Sequence, residues 1–194
     1  MDNFILAAAT VDEAGLASAR LGNRFGRLDL ASQLTLLAVE GLGIDLDKWP
    51  RERIAICLAS RAGSLATDVD YWSSRETAGG PSPTLFAYTL PSAAIGEVAI
   101  RHRVTGPNFC FVGSSDAAVA AATDLLDRDE AVACLCIDCN VVTPAVAQFT
   151  GLPAAARASA LFIAKSGGGV SLAGEIARDI ESLCVIYLAG KSAR

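Results

Sequence analysis

"GPNFCFVGSSDAAVAAATDLL", residues Gly106 to Leu126, decides how this chain is read. A Gly-Pro-Asn turn leads into the apolar run Asn108–Gly113, whose composition predicts a short strand. Two serines and an aspartate follow. From Ala117 to Leu126 only Thr123 and Asp124 carry any polarity. A helix that is apolar all round is normally sandwiched between layers, so this segment predicts a helix with protein on both sides. Ser114, Ser115 and Asp116 stand at its mouth. Their oxygens can accept from the free N–H groups of the first turn, and Asp116 also suits the positive end of the helix dipole. A helix N-terminus is equally a place where acyl-transfer enzymes put a nucleophile, because it favours a developing anion. Ser115 and Ser114 are therefore candidates, but a serine needs a base. The one histidine, His102 in "IRHRV", reads as a solvated cation at a helix end, and no Gly-x-Ser-x-Gly elbow surrounds either serine.

Outward from this stretch, strands and helices alternate. Phe4–Thr10, Arg53–Ser60 and Ala131–Val142 are compact apolar runs and predict buried strands. Asp29–Gly43 carries Leu30, Leu34, Leu37 and Leu42 at helical spacing and ends on Gly43, which predicts a helix. A second helix is predicted from near Ser92, with Glu97 and Arg101 spaced to pair along one face. Arg61–Phe86, rich in Gly, Ser and Pro, reads as a long connection whose Tyr71 and Trp72 pack it onto the body, the alternative being that this aromatic pair lines an acyl entrance. "ASALFIAKS" and "LCVIYLAG" read as closing strands around the glycine turn Gly167–Gly169. Strands apolar along their whole length, alternating with helices, predict an α/β fold: a mixed, mostly five-stranded sheet with helices on both faces, in one domain over residues 1–194. "AGKSAR" lacks the glycine and the following helix of a phosphate-binding loop.

Composition narrows the function classes. Of the 194 residues 52% are apolar and 19% charged, the net charge is −5, and mean hydropathy is +0.40. A chain without a basic field is a poor nucleic-acid binder, so no nucleic-acid partner is expected. No apolar run is long enough for a membrane span, and the start has no signal-peptide pattern. The six cysteines sit largely in apolar strand-like runs, as in "VACLCIDCNVV", which reads as buried free thiols in a reducing cytoplasm. Their spacing does not suit zinc, and neither a metal nor a cofactor is expected.

The ordered set of segments resembles the N-terminal half of a β-ketoacyl synthase of the thiolase-like fold. "RLDLASQLTLLAVEGL" looks like that family's first core helix and "RIAICLAS" like its second strand. "LPSAAIGEVAIRHRVTGPN" resembles the segment that ends in Gly-Pro-Asn, with Ser92 in place of the usual Asn. "AAATDLLDRDEAVACLCIDC" is similar to the helix and strand after the nucleophile, and "ASALFIAKS" to the strand that closes the half. The resemblance spans most of the chain. Two departures stand out. Counting from Gly106, the family's catalytic cysteine falls on Ser115, while Cys110 lies too early, inside the strand. The family's two catalytic histidines belong to a C-terminal half with no counterpart here.

The resemblance implies a decarboxylative condensation that this residue set does not support. A serine without a base is a poor nucleophile, and without the histidines nothing stabilises the enolate. The expectation is a ketosynthase-like, non-catalytic subunit, or an acyl- or carrier-protein-binding component, in fatty-acid, polyketide or aryl-polyene-type synthesis. The alternatives are a serine-dependent acyltransferase or thioesterase using Ser115, with Ser114 and Asp116 binding ligand, and a binding module of unrelated biology. In the family the helix after the nucleophile lies between two sheets. The resemblance therefore implies a homodimer or a ketosynthase-like partner covering Ala117–Leu126, a possible acyl carrier protein, and a second contact along the edge of Asn108–Gly113.

Overall fold

The computed structural model describes residues 3–19, 22, 25–165, 169–173 and 178–192. Its elements run β1 (Phe4–Asp12), α1 (Glu13–Ser18), α2 (Leu30–Gly41), β2 (Ile54–Ser60), α3 (Leu65–Ser74), α4 (Pro83–Phe86) and α5 (Ala93–His102). They continue with β3 (Asn108–Val112), α6 (Asp116–Asp127), β4 (Ala133–Val142), α7 (Pro144–Thr150), β5 (Ala155–Ala164), β6 (Val170–Ser171) and α8 (Ile180–Ser192). One sheet of six strands has the order β3-β2-β4-β5-β1-β6. β3, β2 and β4 are parallel, and β5 runs antiparallel to both β4 and β1. The expected α/β fold is present, with one strand more than expected; the addition is the two-residue β6 on the edge of β1.

Because β2 and β4 are buried along their whole length, alternate side chains feed two cores. One face carries Ile54, Ile56 and Leu58 of β2, Leu135 and Ile137 of β4, and Phe162 of β5, packed beneath α2 and α5. The other carries Ala55, Cys57, Ala59, Cys134 and Cys136 beneath α6 and α8.

The turn before β3 requires its glycine. A Cβ on Gly106 would come within 2.2 Å of the Ile54 carbonyl oxygen, because the turn lies directly against the start of β2. Thr105 N–H donates to Arg51 O and Ile56 N–H to Pro107 O, which sets β3 parallel to β2 at the sheet edge.

Three expectations differ from the structure. "LCVIYLAG" is helical, not a strand. Ile180, Leu183, Cys184 and Tyr187 are its buried positions, a helical spacing that emerges only once Ile180 is included. Asp179 accepts from Ser182 N–H at 2.8 Å and starts that helix. The connection after β2 folds into α3 and α4, the latter begun by Ser82, which accepts from Leu85 N–H, and by Pro83. Finally, Glu97 and Arg101 do not pair: Glu97 accepts from Tyr88 Oη at 3.0 Å and Arg101 donates to Glu40 at 2.5 Å. α1 and α7 were not anticipated either. α7 carries its own signals, since Thr143 accepts from Val146 N–H, Pro144 follows, and Gly151 closes the helix at φ 70°. Gly167 and Gly168 of the glycine turn lie outside the described residues.

Candidate functional site

In an open α/β sheet, ligands gather where neighbouring strands send their outgoing chains to opposite faces. Here that place is the carboxyl end of β2 and β3. β2 continues into α3 on the first face, and β3 continues through Gly113, Ser114 and Ser115 into α6 on the second. Gly113 N–H donates to Ser60 O at 2.9 Å and ties the two strand ends together.

Ser115 immediately precedes α6 and is 3% exposed. Its hydroxyl does not cap its own helix. Instead Oγ accepts the backbone N–H of Ile180 at 3.0 Å and so helps to begin α8, 65 residues along the chain. No hydrogen bond joins Ser115 to a histidine, lysine or carboxylate among the described residues. Ser114 is exposed and donates to the Asp116 carboxylate. That bond chiefly holds the Asp116 carboxyl below the usual range, with the N–H groups of Asp116 and Ala117 assisting. The three candidates thus split: Ser114 and Asp116 pair at the surface, and Ser115 turns inward to α8.

His102 is not a solvated cation. It lies at the end of α5, which leads into the start of β3, and so sits at the opposite end of that strand from Ser115. Burial lowers its pKa, and Nε2 stands 3.8 Å from Glu40 Oε1. The six cysteines are free. Burial pushes the Cys57 and Cys139 thiols up to about 12 and Cys184 to about 11, and raises the other three. No group of three His, Cys, Asp or Glu among the described residues is placed to hold a metal ion.

Beside Ser115, the ends of β4 and β5 carry a polar cluster that sequence reading missed. Asp138 stands opposite Ser159 on the ladder and Asn140 opposite Arg157. Asn140 Nδ2 donates to Asp138 Oδ1 and Asn140 Oδ1 accepts from Arg61 N–H, both at 2.8 Å. Ser159 Oγ lies 3.1 Å from Thr10 Oγ1. Arg157 forms a two-pronged bridge to Glu181, one prong at 2.7 Å. Burial raises the Asp138 pKa, while the Asn140 bond and the charges of Arg61 and Arg157 oppose it. The signal was present as "IDCN", two polar residues alternating with the apolar positions of a buried strand.

α6 buries Ala118, Val119, Ala122, Thr123, Leu125 and Leu126 against the sheet, but it is not covered all round. Ala120 is exposed and Ala117 and Ala121 are half-buried on its outer side. On α8, Val185 is 64% and Leu188 44% exposed. β3 is an edge strand, with Phe109 and Val112 exposed. No helix among the described residues is long and apolar enough to cross a membrane.

No protein-family model and no curated protein matches the sequence. Solved structures do. A chain of a type II PKS acyl-carrier protein in complex with its ketosynthase bound to the hexaketide is similar over 84% of this chain, with TM-score 0.70 and 16% identity. A chain of the ishigamide ketosynthase/chain length factor is similar over 89%, with TM-score 0.69 and 19% identity. A chain of the ketosynthase ApeO in complex with its chain length factor ApeC, from Xenorhabdus doucetiae, is similar over 87%, with TM-score 0.61 and 17% identity. This chain spans 62% and 65% of the first two chains and 81% of the third. At these identities the likeness establishes architecture, and it is the architecture that the segments around Gly106–Leu126 had implied: the chain has the thiolase-like fold of the ketosynthases.

Proposed function

We propose that this chain is a non-catalytic, ketosynthase-like subunit that works against a condensing partner in polyketide-, fatty-acid- or aryl-polyene-type synthesis. The observation that carries this reading is Ser115. At the position matching the family's cysteine, the side chain is buried and its oxygen is engaged with Ile180 N–H. A nucleophile must reach its substrate and lose a proton to a base, and Ser115 meets neither condition in this geometry. Serine-dependent acyl transfer would need the Ser115–Ile180 bond to open and a base from outside the described residues.

Two further observations support a partner. The outer sides of α6 and α8 and the edge of β3 present apolar side chains to solvent. The similar structures include a ketosynthase with its chain length factor, and the Xenorhabdus doucetiae chain is not much longer than this one. A second copy of this chain or a ketosynthase would cover α6, and an acyl carrier protein would deliver chains to the assembly.

The test is co-expression with a condensing ketosynthase from the same organism, followed by light scattering on a size-exclusion column. Co-elution as a defined complex, or a stable dimer of the chain alone, is expected. A monodisperse monomer that ignores the ketosynthase overturns the proposal. Intact mass after incubation with an acyl thioester checks the chemistry, with no adduct on Ser115 expected.

A further inference from the structure

Three segments meet at the end of α5. Glu40 comes from α2, Arg101 and His102 from the last turn of α5, and Arg51 from the short helical turn Arg51–Arg53 before β2. Glu40 Oε1 accepts from Arg101 Nε at 2.5 Å and lies 3.8 Å from His102 Nε2. Arg51 Nη2 donates to Asp47 Oδ1 at 2.5 Å. The His102 side chain is 17% exposed. Its Nε2 and Arg51 Nη1 are buried, and neither has a hydrogen-bond partner among the described residues. We propose that this joint is a pH-sensitive latch, closed while the His102 imidazole is neutral, whose protonation loosens the end of α5 and the Thr105–Pro107 turn that follows it.

The charges around the imidazole set the direction. With His102 neutral, Arg51 is matched by Asp47 and Arg101 by Glu40. Protonated His102 adds a third cation, and Glu40, the one carboxylate within 4 Å of it among the described residues, is already held by Arg101. Burial is the largest opposition to protonation; Glu40 favours it, and Arg101 and Arg51 oppose it. β2 beneath offers no countercharge, because it presents Ile54, Ile56 and Leu58 to this side. Arg103, the next residue along, is exposed.

The latch reaches β3 through the backbone. Val104 N–H donates to Ala99 O and Thr105 N–H to Arg51 O, both at 3.0 Å, so the residues just after His102 tie α5 and the Arg51 turn to the entry of β3. An unfolded chain protonates its histidine near pH 6.5. The folded joint does so at lower pH, so between the two values the unfolded state binds more protons. Stability is therefore complete above the unfolded value, falls as pH drops through it, and levels off below the folded one. The latch does not require the subunit reading above, because every group in it belongs to this chain.

His102 is the one histidine of the chain, so its imidazole gives a single signal in an NMR pH titration of the full chain. A midpoint below that of the same chain unfolded in urea is expected. Hydrogen-exchange protection at Thr105, corrected for the intrinsic rate, should fall at least about threefold between pH 7 and pH 5. His102→Gln, which takes up no proton, should keep its protection over that range. Arg51→Gln removes a neighbouring charge and should raise the imidazole midpoint, a readout that stands even where the His102 variant does not fold. A midpoint at or above that of the unfolded chain overturns the proposal. So does an unmoved midpoint in Arg51→Gln, or a pH dependence at Thr105 that is absent in wild type or equal in His102→Gln.

Discussion

Strands β2 and β4 present different materials to the two faces of the sheet. Under α2 and α5 the strands present Ile54, Ile56, Leu58, Leu135, Ile137 and Phe162. Under α6 and α8 strands β2 and β4 present Ala55, Cys57, Ala59, Cys134 and Cys136, and α6 answers with Ala118 and Ala122, while the larger Leu161 and Ile163 of β5 lie in the same core. Bulky side chains fill the space between layers on the first face. On the second, small residues on both strand and helix let the α6 backbone approach the sheet, and the Cys134 thiol lies 3.6 Å from Ala122 O. The first face gains stability from volume, and the second holds the start of α6, with Ser115, at a fixed position. A face assembled from small groups gains less from burial per residue and tolerates added volume poorly.

That contrast can be broken in graded ways. The largest effect is in thiol reactivity. Cys57, Cys134 and Cys136, sealed beneath α6 and α8, should react with an aromatic disulfide at pH 8 at least about a thousandfold slower than a free thiol, since only opening of the fold exposes them. Cys110, half-buried on edge strand β3, should react first. Stopped-flow absorbance in native and denaturing buffer reads both; rapid native reaction of Cys136 would mean that the second face is loose.

Volume changes sharpen the comparison. Phe162→Ala should cost about 3–5 kcal/mol in urea unfolding, because Phe162 is fully buried and stacks edge-on to Trp49 at 5.2 Å. Ala122→Leu should cost about 1–3 kcal/mol by overpacking. An Ala122→Leu variant of wild-type stability would show that α6 can lift from the sheet at little expense.

At the mouth of the second face, Ser115→Ala should cost about 1 kcal/mol, the ordinary loss of a helix-start acceptor, and should raise hydrogen exchange at Ile180. No change at Ile180 would mean that Asp179 alone starts α8. The smallest effect concerns Asp138. Its folded pKa is raised, so the native state binds a proton more tightly than the unfolded chain does. The stability this contributes is complete below the unfolded carboxyl pKa and is lost as pH rises through the folded one. Asp138→Asn, which imitates the protonated form, should therefore gain stability relative to wild type as pH rises from about 4. Denaturation midpoints at several pH values measure this, and a constant difference between the two proteins would refute it.

Much of the fold was legible because burial imprints a local period. β2 and β4 are buried on both faces and read as unbroken apolar runs, and α2, α5 and α6 show a helical spacing long enough to recognise. α8 was misread because eight apolar residues without their N-terminal neighbour, Ile180, fit a strand equally well. α3 buries only Ala66 and Thr67, so its apolar period is faint and its Gly- and Ser-rich flanks dominate.

The candidate site divides along the same line. The turn Gly106–Asn108, the strand after it and the position of Ser115 at the start of a helix were determined by the sequence, since each depends on neighbours in the chain. Only the tertiary structure decided what Ser115 does. Its partner, Ile180, is 65 residues away, and no local pattern reports a hydrogen bond between two helix starts. The pairing of Asp138 with Ser159 and of Asn140 with Arg157 likewise depends on the register of β4 against β5. A shift by one residue would turn every one of those side chains to the other face. Periodicity records which residues leave water; the partners they meet are set by how the sheet assembles.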